Sequence, residues 1–217
     1  ALEVARRTTG DAAYIARALA QKGNALKNRG RLAEGVAALE AAILEVEKSP
    51  DLPLSGRIHC ELGVARFVMG DLDRAADDLE RALSIARQVG DMVYEGRALS
   101  YLAIMRVAVG ELADALAMCD EALPLTRAQG DRVSEARVLG TIGALYLEEE
   151  TPQLAQAFYT EAVERCRSVG ELRLRGYFQG KLSSVSLALG RTELSRQQLD
   201  EAITTLGEVG DLRHEGL

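Results

Sequence analysis

The sequence predicts an all-α fold, a solenoid of antiparallel helix pairs with about five repeats of 40 residues. Three observations predict it. Glycine sits on a 20-residue lattice, at Gly10, Gly30, Gly70, Gly90, Gly110, Gly130, Gly170, Gly190 and Gly210, with gaps only at Pro50 and Glu150. An acid follows most of these glycines: Asp11, Asp71, Asp91, Glu111, Asp131, Glu171 and Asp211. Between lattice points the apolar residues keep a helical period, in a chain rich in alanine, leucine, glutamate and arginine that has no tryptophan.

The stretch Leu62 to Asp91 shows the building rule. Ile58, Leu62, Ala65 and Met69 recur at i, i+4, i+7 and i+11, so they share one face of a first helix. Gly70 ends that helix, because glycine takes the left-handed conformation without a Cβ penalty. Asp71 is placed to cap the next helix with its carboxylate. Leu72, Ala75, Leu79, Ala82 and Ala86 form the apolar stripe of the second helix, closed by Gly90. Gly63, Ala75 and Ala82 fall where the two helices must approach closely.

In chain order, the repeats are 11–50, 51–90, 91–130, 131–170 and 171–210, with partial repeats at 1–10 and 211–217. Neither end carries a polar cap, which predicts a segment of a larger protein or ends that pack on another copy. The first repeat diverges, with Lys22 where the others have Leu62, Leu102, Ile142 and Leu182, and Gly35 in place of alanine. Pro50 and Pro53 predict an extended connection into the second repeat. In the fourth repeat Glu150 takes the place of a glycine, then Thr151 and Pro152 signal a helix start. The run Glu148–Glu150 reads as a solvated face at a helix C-terminus, where the dipole disfavours it and favours mobility or a cation.

Composition narrows function. The 217 residues carry a net charge of −7, which argues against direct nucleic-acid or anionic-membrane binding. Cys60, Cys119 and Cys166 lie in different repeats without a CxxC, as expected of reduced core residues in a cytoplasmic protein. His59 beside Cys60 is not a metal pair, because neighbours on a helix point about 100° apart. No apolar run approaches the roughly 20 residues of a membrane span. No nucleophile–base set, phosphate-cradling loop or HExxH motif appears, so neither an enzyme nor a cofactor is expected.

The residues Leu62-Gly63, Ala75, Leu79 and Ala82 resemble the tetratricopeptide repeat pattern. Leu102-Ala103, Ala115, Cys119, Ala122 and Ile142-Gly143, Ala155, Tyr159, Ala162 repeat it, whereas the fifth repeat departs with Leu182-Ser183, Ser195, Leu199 and Ala202. The first keeps Gly23, Leu39 and Ala42. The period exceeds the family's usual 34 by six. That longer form is similar to repeats in bacterial maltose-activator-like regulators, signalling ATPases and kinases, and to those of kinesin light chains. The resemblance implies a right-handed superhelix whose first helices line a concave groove.

Carried onto this chain, the groove positions give a ladder of Arg17, Arg57, Arg97 and Arg137 that ends at Tyr177, each 40 residues apart. Arginine forks suit carboxylate or phosphate, so the ladder points to an acidic peptide or anionic ligand. It competes with a structural reading in which each arginine pairs with a nearby acid: Glu61 four residues after Arg57, or Glu95 or Glu135 on an adjacent helix. Further groove positions are Asn24 with Ala20 and Lys27; Cys60, Val64 and Phe67; Ser100, Ile104 and Val107; Gly140, Ala144 and Leu147; and Gly180, Ser184 and Leu187. This small, apolar centre reads as a slot for a peptide, or as helix-packing surface. Only Asn24 matches the family's chaperone-tail clamp, so that ligand is rejected. The expected function is a non-catalytic protein-interaction scaffold, the sensor or docking arm of a bacterial-type signalling or transcription regulator. Its expected partner is a protein or peptide. The alternatives are an effector-sensing module for a small molecule, and homo-oligomer formation through the solenoid ends.

Overall fold

The computed structural model describes residues 12–48 and 51–214, the last five by backbone alone. Ten helices run in order among the described residues: α1 (Ala12–Asn28), α2 (Leu32–Lys48), α3 (Leu52–Met69), α4 (Leu72–Val89), α5 (Met92–Ala108), α6 (Leu112–Ala128), α7 (Arg132–Glu148), α8 (Pro152–Ser168), α9 (Leu172–Ala188) and α10 (Thr192–His214). They form two compact units, 1–102 and 103–217, with the boundary inside α5. The readings placed on 1–11, 49–50 and 215–217, including Pro50, lie outside the described residues, whereas Pro53, expected to extend the same connection, sits in the first turn of α3, where its missing N–H costs no helical bond.

The glycine lattice is the turn lattice. At Gly70 the backbone is left-handed, with φ +85°. Its N–H donates to Phe67 O, and that of Asp71 to Arg66 O, both at 3.0 Å, so carbonyls left over at the helix end are satisfied. Glu150 adopts the same left-handed geometry, with φ +55°, although it carries a Cβ. Its N–H reaches Leu147 O at 3.1 Å, and that of Thr151 reaches Tyr146 O at 2.9 Å.

The acids after the lattice points divide into two kinds. Between pairs they cap: Asp51 accepts from Leu54 N–H and Asp131 from Ser134 N–H at 3.0 Å, and Glu171 accepts from Leu174 N–H at 3.4 Å. Within pairs they do not. Asp71 and Glu111 stand at N-cap positions without a side-chain cap bond. Glu111 instead accepts from Arg106 at 2.5 Å. At Asp71 the nearest cation is Arg74, 3.9 Å from the carboxylate, and no cap bond forms, which corrects the expectation for that residue. Thr151 likewise makes no cap bond, and its hydroxyl donates to Tyr146 O at 2.8 Å. The helix stop expected at Gly210 is also absent: α10 continues through it to His214. Glycine permits the left-handed turn without imposing it; elsewhere a docked return helix commits the chain.

In the N-terminal unit the core gathers Ala16, Leu39, Ala42, Val46, Ile58, Leu62 and Ala65. A Cβ on Gly63 would stand 2.7 Å from Leu79 Cγ, so α3 and α4 touch through that glycine. In the C-terminal unit Leu139, Tyr159, Ala162, Cys166, Phe178 and Val185 form the core. There a Cβ on Gly140 would meet Phe178 Cε1 at 2.1 Å. The three cysteines are buried and free, and burial pushes the Cys119 and Cys166 thiols up to about 12.

Candidate functional site

In the N-terminal unit the first helices α1 and α3 and the start of α5 bring the ladder together. Arg17 on α1 donates to Asp51 Oδ2 at 2.9 Å. Arg57 on α3 holds Asp91 Oδ2 through Nε at 3.0 Å and Nη2 at 2.9 Å. Each arginine thus grips the acid that begins the next first helix, and for α3 that acid is the N-cap itself. The Leu54 N–H and then Arg17 hold the Asp51 carboxyl below the usual range.

Arg97 does something different. It donates to Glu61 Oε1 at 2.5 Å and Oε2 at 3.3 Å, and Lys27 donates to Glu61 from the other side. Three successive first helices therefore meet in one buried charge string. Burial opposes ionisation of Glu61, but Arg97 and Lys27 outweigh it and keep the carboxyl below its ordinary range. Tyr94 lies between two cations, with the Arg57 and Arg97 guanidinium carbons 5.5 and 5.9 Å from its ring centroid. The expected Arg57–Glu61 pair does not form; each partner turns to a neighbouring helix instead. One turn from Lys27, Asn24 Oδ1 is buried without a hydrogen-bond partner.

The other expected positions divide by burial. Cys60, Val64 and Ser100 are buried between helices, and Ser100 Oγ donates to Arg97 O at 2.8 Å. Phe67 is half-buried against the edge of Tyr101, with centroids 5.5 Å apart. In the C-terminal unit Ile104 and Arg137 are half-buried, and Tyr177 is exposed beside Phe178 with Lys181 Nζ 5.4 Å from its ring.

Two ionic networks lie off the ladder. His59 Nδ1 stands 2.9 Å from Asp78 Oδ1, and Arg66 bridges Asp78 to Glu40, with 2.6 Å to Glu40. On α7, Glu135 is buried and takes Arg127 at 3.1 Å, Arg132 at 2.7 Å and Arg165 at 3.0 Å. Sequence reasoning offered Glu135 as a ladder partner and missed its role as a hub. It placed Lys27 in the groove without a function and passed over Tyr94. The signal available was a basic residue near the end of the second, third and fourth hairpins, Arg87, Arg127 and Arg167, eight residues before Glu95, Glu135 and Arg175.

Among the described residues no group of three or more His, Cys, Asp or Glu could hold a metal ion, and no helix is long and apolar enough to cross a membrane. Helix hairpins on a constant register, closed by left-handed turns and joined through small residues, define a helical repeat protein. Models of the tetratricopeptide repeat match residues 94–168 and, separately, 16–44 and 56–89. The chain belongs to the tetratricopeptide repeat family. Its fold is similar to BtubC (BKLC) from P. vanneervenii, with a TM-score of 0.71 and 17% identity over 96% of this chain and 86% of that one. It is also similar to a Rap protein complexed with competence and sporulation factor, with a TM-score of 0.78 and 12% identity over 92% of this chain and 55% of that one. A third similar structure is a signal-transduction ATPase with a tetratricopeptide repeat sensor from Pyrococcus horikoshii, with a TM-score of 0.68 and 19% identity over 92% of this chain and 30% of that one. No curated protein matches the sequence.

Proposed function

We propose that this chain is a non-catalytic protein-interaction scaffold, the sensor or docking arm of a signalling or transcription regulator in the cytoplasm. Its first helices would take an acidic peptide or protein segment. The observation that carries this reading is the pair Arg57 and Arg97 on Tyr94, with Lys27 on the far side of Glu61, three cations against the two carboxylates of Glu61 and Asp91. That local excess stands in a chain of net charge −7. Arg57 is exposed, so its unpaired N–H groups remain open to a partner carboxylate. The orphaned Asn24 Oδ1 adds an acceptor for a peptide N–H. The similar Rap structure is a complex with a named factor, and the P. horikoshii protein carries its repeats as a sensor, which agrees with this reading.

The test is fluorescence anisotropy with a labelled glutamate-rich decapeptide, a lysine-rich one serving as control. Binding of the acidic peptide alone, weakened by salt and lost in Arg57→Ala at unchanged melting temperature, supports the proposal. Equal binding by Arg57→Ala, or no preference for the acidic peptide, overturns it. Arg97→Ala is the less useful variant, because it strands a buried Glu61 beside Lys27 and lowers stability as well.

A second reading, self-assembly through a repeat end, has its own observation. Leu199, Ile203 and Leu206 are exposed on α10 at i, i+4 and i+7, where the preceding repeats cover Tyr159, Val163 and Cys166. Concentration-dependent light scattering that collapses to monomer in Ile203→Glu would favour it, and a strict monomer at high concentration would end it.

A further inference from the structure

We propose a second polypeptide-binding site in the C-terminal unit, a cleft between the end of α8, α9 and α10 that recognises the main-chain peptide group of an extended segment. The cleft has a volume of about 860 Å³ and is lined by Arg167, Arg175, Gln179 and Thr205, with the outer residues of α10 along its rim. Two atoms of its wall are buried and unpartnered: Arg175 Nε, a donor, and Gln179 Oε1, an acceptor. Gln179 is only 7% exposed. Buried polar groups are nearly always paired, so an orphaned donor and an orphaned acceptor on one wall need a ligand offering the reverse set. A peptide group is such a ligand: its C=O accepts from Arg175 and its N–H donates to Gln179. The terminal torsion of glutamine is soft, which lets Oε1 turn to meet the segment.

The 40-residue register shows that neither group is there for packing. The position of Gln179 is leucine in three other repeats, Leu19, Leu99 and Leu139; in the remaining one it is His59, which has Asp78 as a partner. The position of Arg175 is Glu135 one repeat earlier, where Arg127 and Arg165 close on the carboxylate. In the fifth repeat Arg167 stands for Arg127 and Thr205 for Arg165, so the central acid is gone and the cleft stays open. Arg175 keeps Thr205 Oγ1 at 3.2 Å and Glu208 at 3.5 Å, both through Nη2, which leaves Nε free. Three arginines and four acids line the cleft. That mixture disfavours a simple anion and suits a polypeptide with side chains of both signs.

The experiment is NMR on the whole chain, following the Arg175 Nε–H and Gln179 side-chain signals. The probe is a capped pentapeptide of alanine, lysine and glutamate, with acetate as the anion control. Saturable shifts of both signals at millimolar peptide, without a saturable response to acetate, are expected. Gln179→Leu, which places there the residue of three other repeats, should weaken binding about fivefold or more. Arg175→Glu with Thr205→Arg, which restores the central acid with two of its three fourth-repeat arginines, should abolish it. No saturable shift would mean that solvent alone satisfies the two atoms, and the proposal fails. It fails equally if acetate reproduces the shifts or if Gln179→Leu binds as tightly as the parent. The groove proposal for the N-terminal unit is unaffected by any of these outcomes, because it is read through Arg57.

Discussion

The fourth and fifth repeats, 131–170 and 171–210, are hairpins on one register, and three of their matched positions carry the contrast between them. The fourth buries Tyr159 at 1% exposure where the fifth leaves Leu199 at 48%. The fourth centres a network on Glu135 where the fifth has Arg175. The fourth turns its hairpin on Glu150 where the fifth uses Gly190, both with positive φ. The fourth is covered in part by Phe178 of the fifth, while the fifth carries an exposed apolar stripe on α10 and an open cleft. A repeat protein acquires function where a copy stops satisfying itself, since stability needs only the rule that the copies share.

The largest expected effect separates packing from presentation. Tyr159→Ala removes a ring that fills the space beside Gly143 and touches Phe178, with centroids 6.2 Å apart. It should cost about 3–5 kcal/mol in urea unfolding. Leu199→Ala, at the matched position, should cost less than about 1 kcal/mol. Equal losses would show that the α10 stripe is covered in solution, and the comparison between the two repeats would break there.

Next comes the charge centre. Glu135→Gln removes two charge-assisted hydrogen bonds and an ion pair with Arg165, but Arg127 and Arg132 are partly exposed and can rehydrate, so the loss should be about 2 kcal/mol. Arg175→Gln breaks a hydrogen bond to Thr205 and a pair with the exposed Glu208, and should cost about 1 kcal/mol. The pH dependence sharpens the contrast. Burial opposes ionisation of Glu135, yet Arg132, Arg165 and Arg127 hold its carboxyl below the ordinary 4.5. A depressed folded-state pKa gives stability that is present above the unfolded value and lost as pH falls through the folded one. Acid unfolding followed below pH 4.5 should therefore be shallower in Glu135→Gln than in the parent, and unchanged in Arg175→Gln.

Much of this architecture was legible from residues alone. Glycine every 20 positions marks the turns, and Ala75, Leu79 and Ala82 mark the contact face. What failed was local competition. Asp71 and Asp51 look alike as caps, but Arg74 stands 3.9 Å from Asp71 while Asp51 takes Leu54 N–H. The candidate site was legible as a ladder and not as a network. A 40-residue ladder groups Arg57 with Arg97, whereas the real partners lie 34 or 36 residues apart, at Asp91 and Glu61. Those separations come from how one first helix slides past the next, which a one-dimensional register does not contain. The cleft beside Gln179 depends on a leucine being absent, and only the comparison of copies in space gives that absence a meaning.

The smallest effect tests the turn itself. Glu150 and Gly190 hold φ of +55° and +73°, a region that costs a residue with a Cβ about 1–2 kcal/mol and glycine nothing comparable. Glu150→Gly removes that strain, but the unfolded chain becomes more flexible, which offsets part of the gain. A net stabilisation of about 0.5–1 kcal/mol is expected from thermal or urea unfolding. Gly190→Ala should cost about 1 kcal/mol, since open space around Gly190 leaves conformation as the sole penalty. The two changes lie in different turns and should add in the double variant. If Glu150→Gly destabilised the protein instead, the Glu150 side chain would be supplying an interaction worth more than its strain. The fourth repeat would then hold a functional residue at its turn, where the fifth has only a hinge.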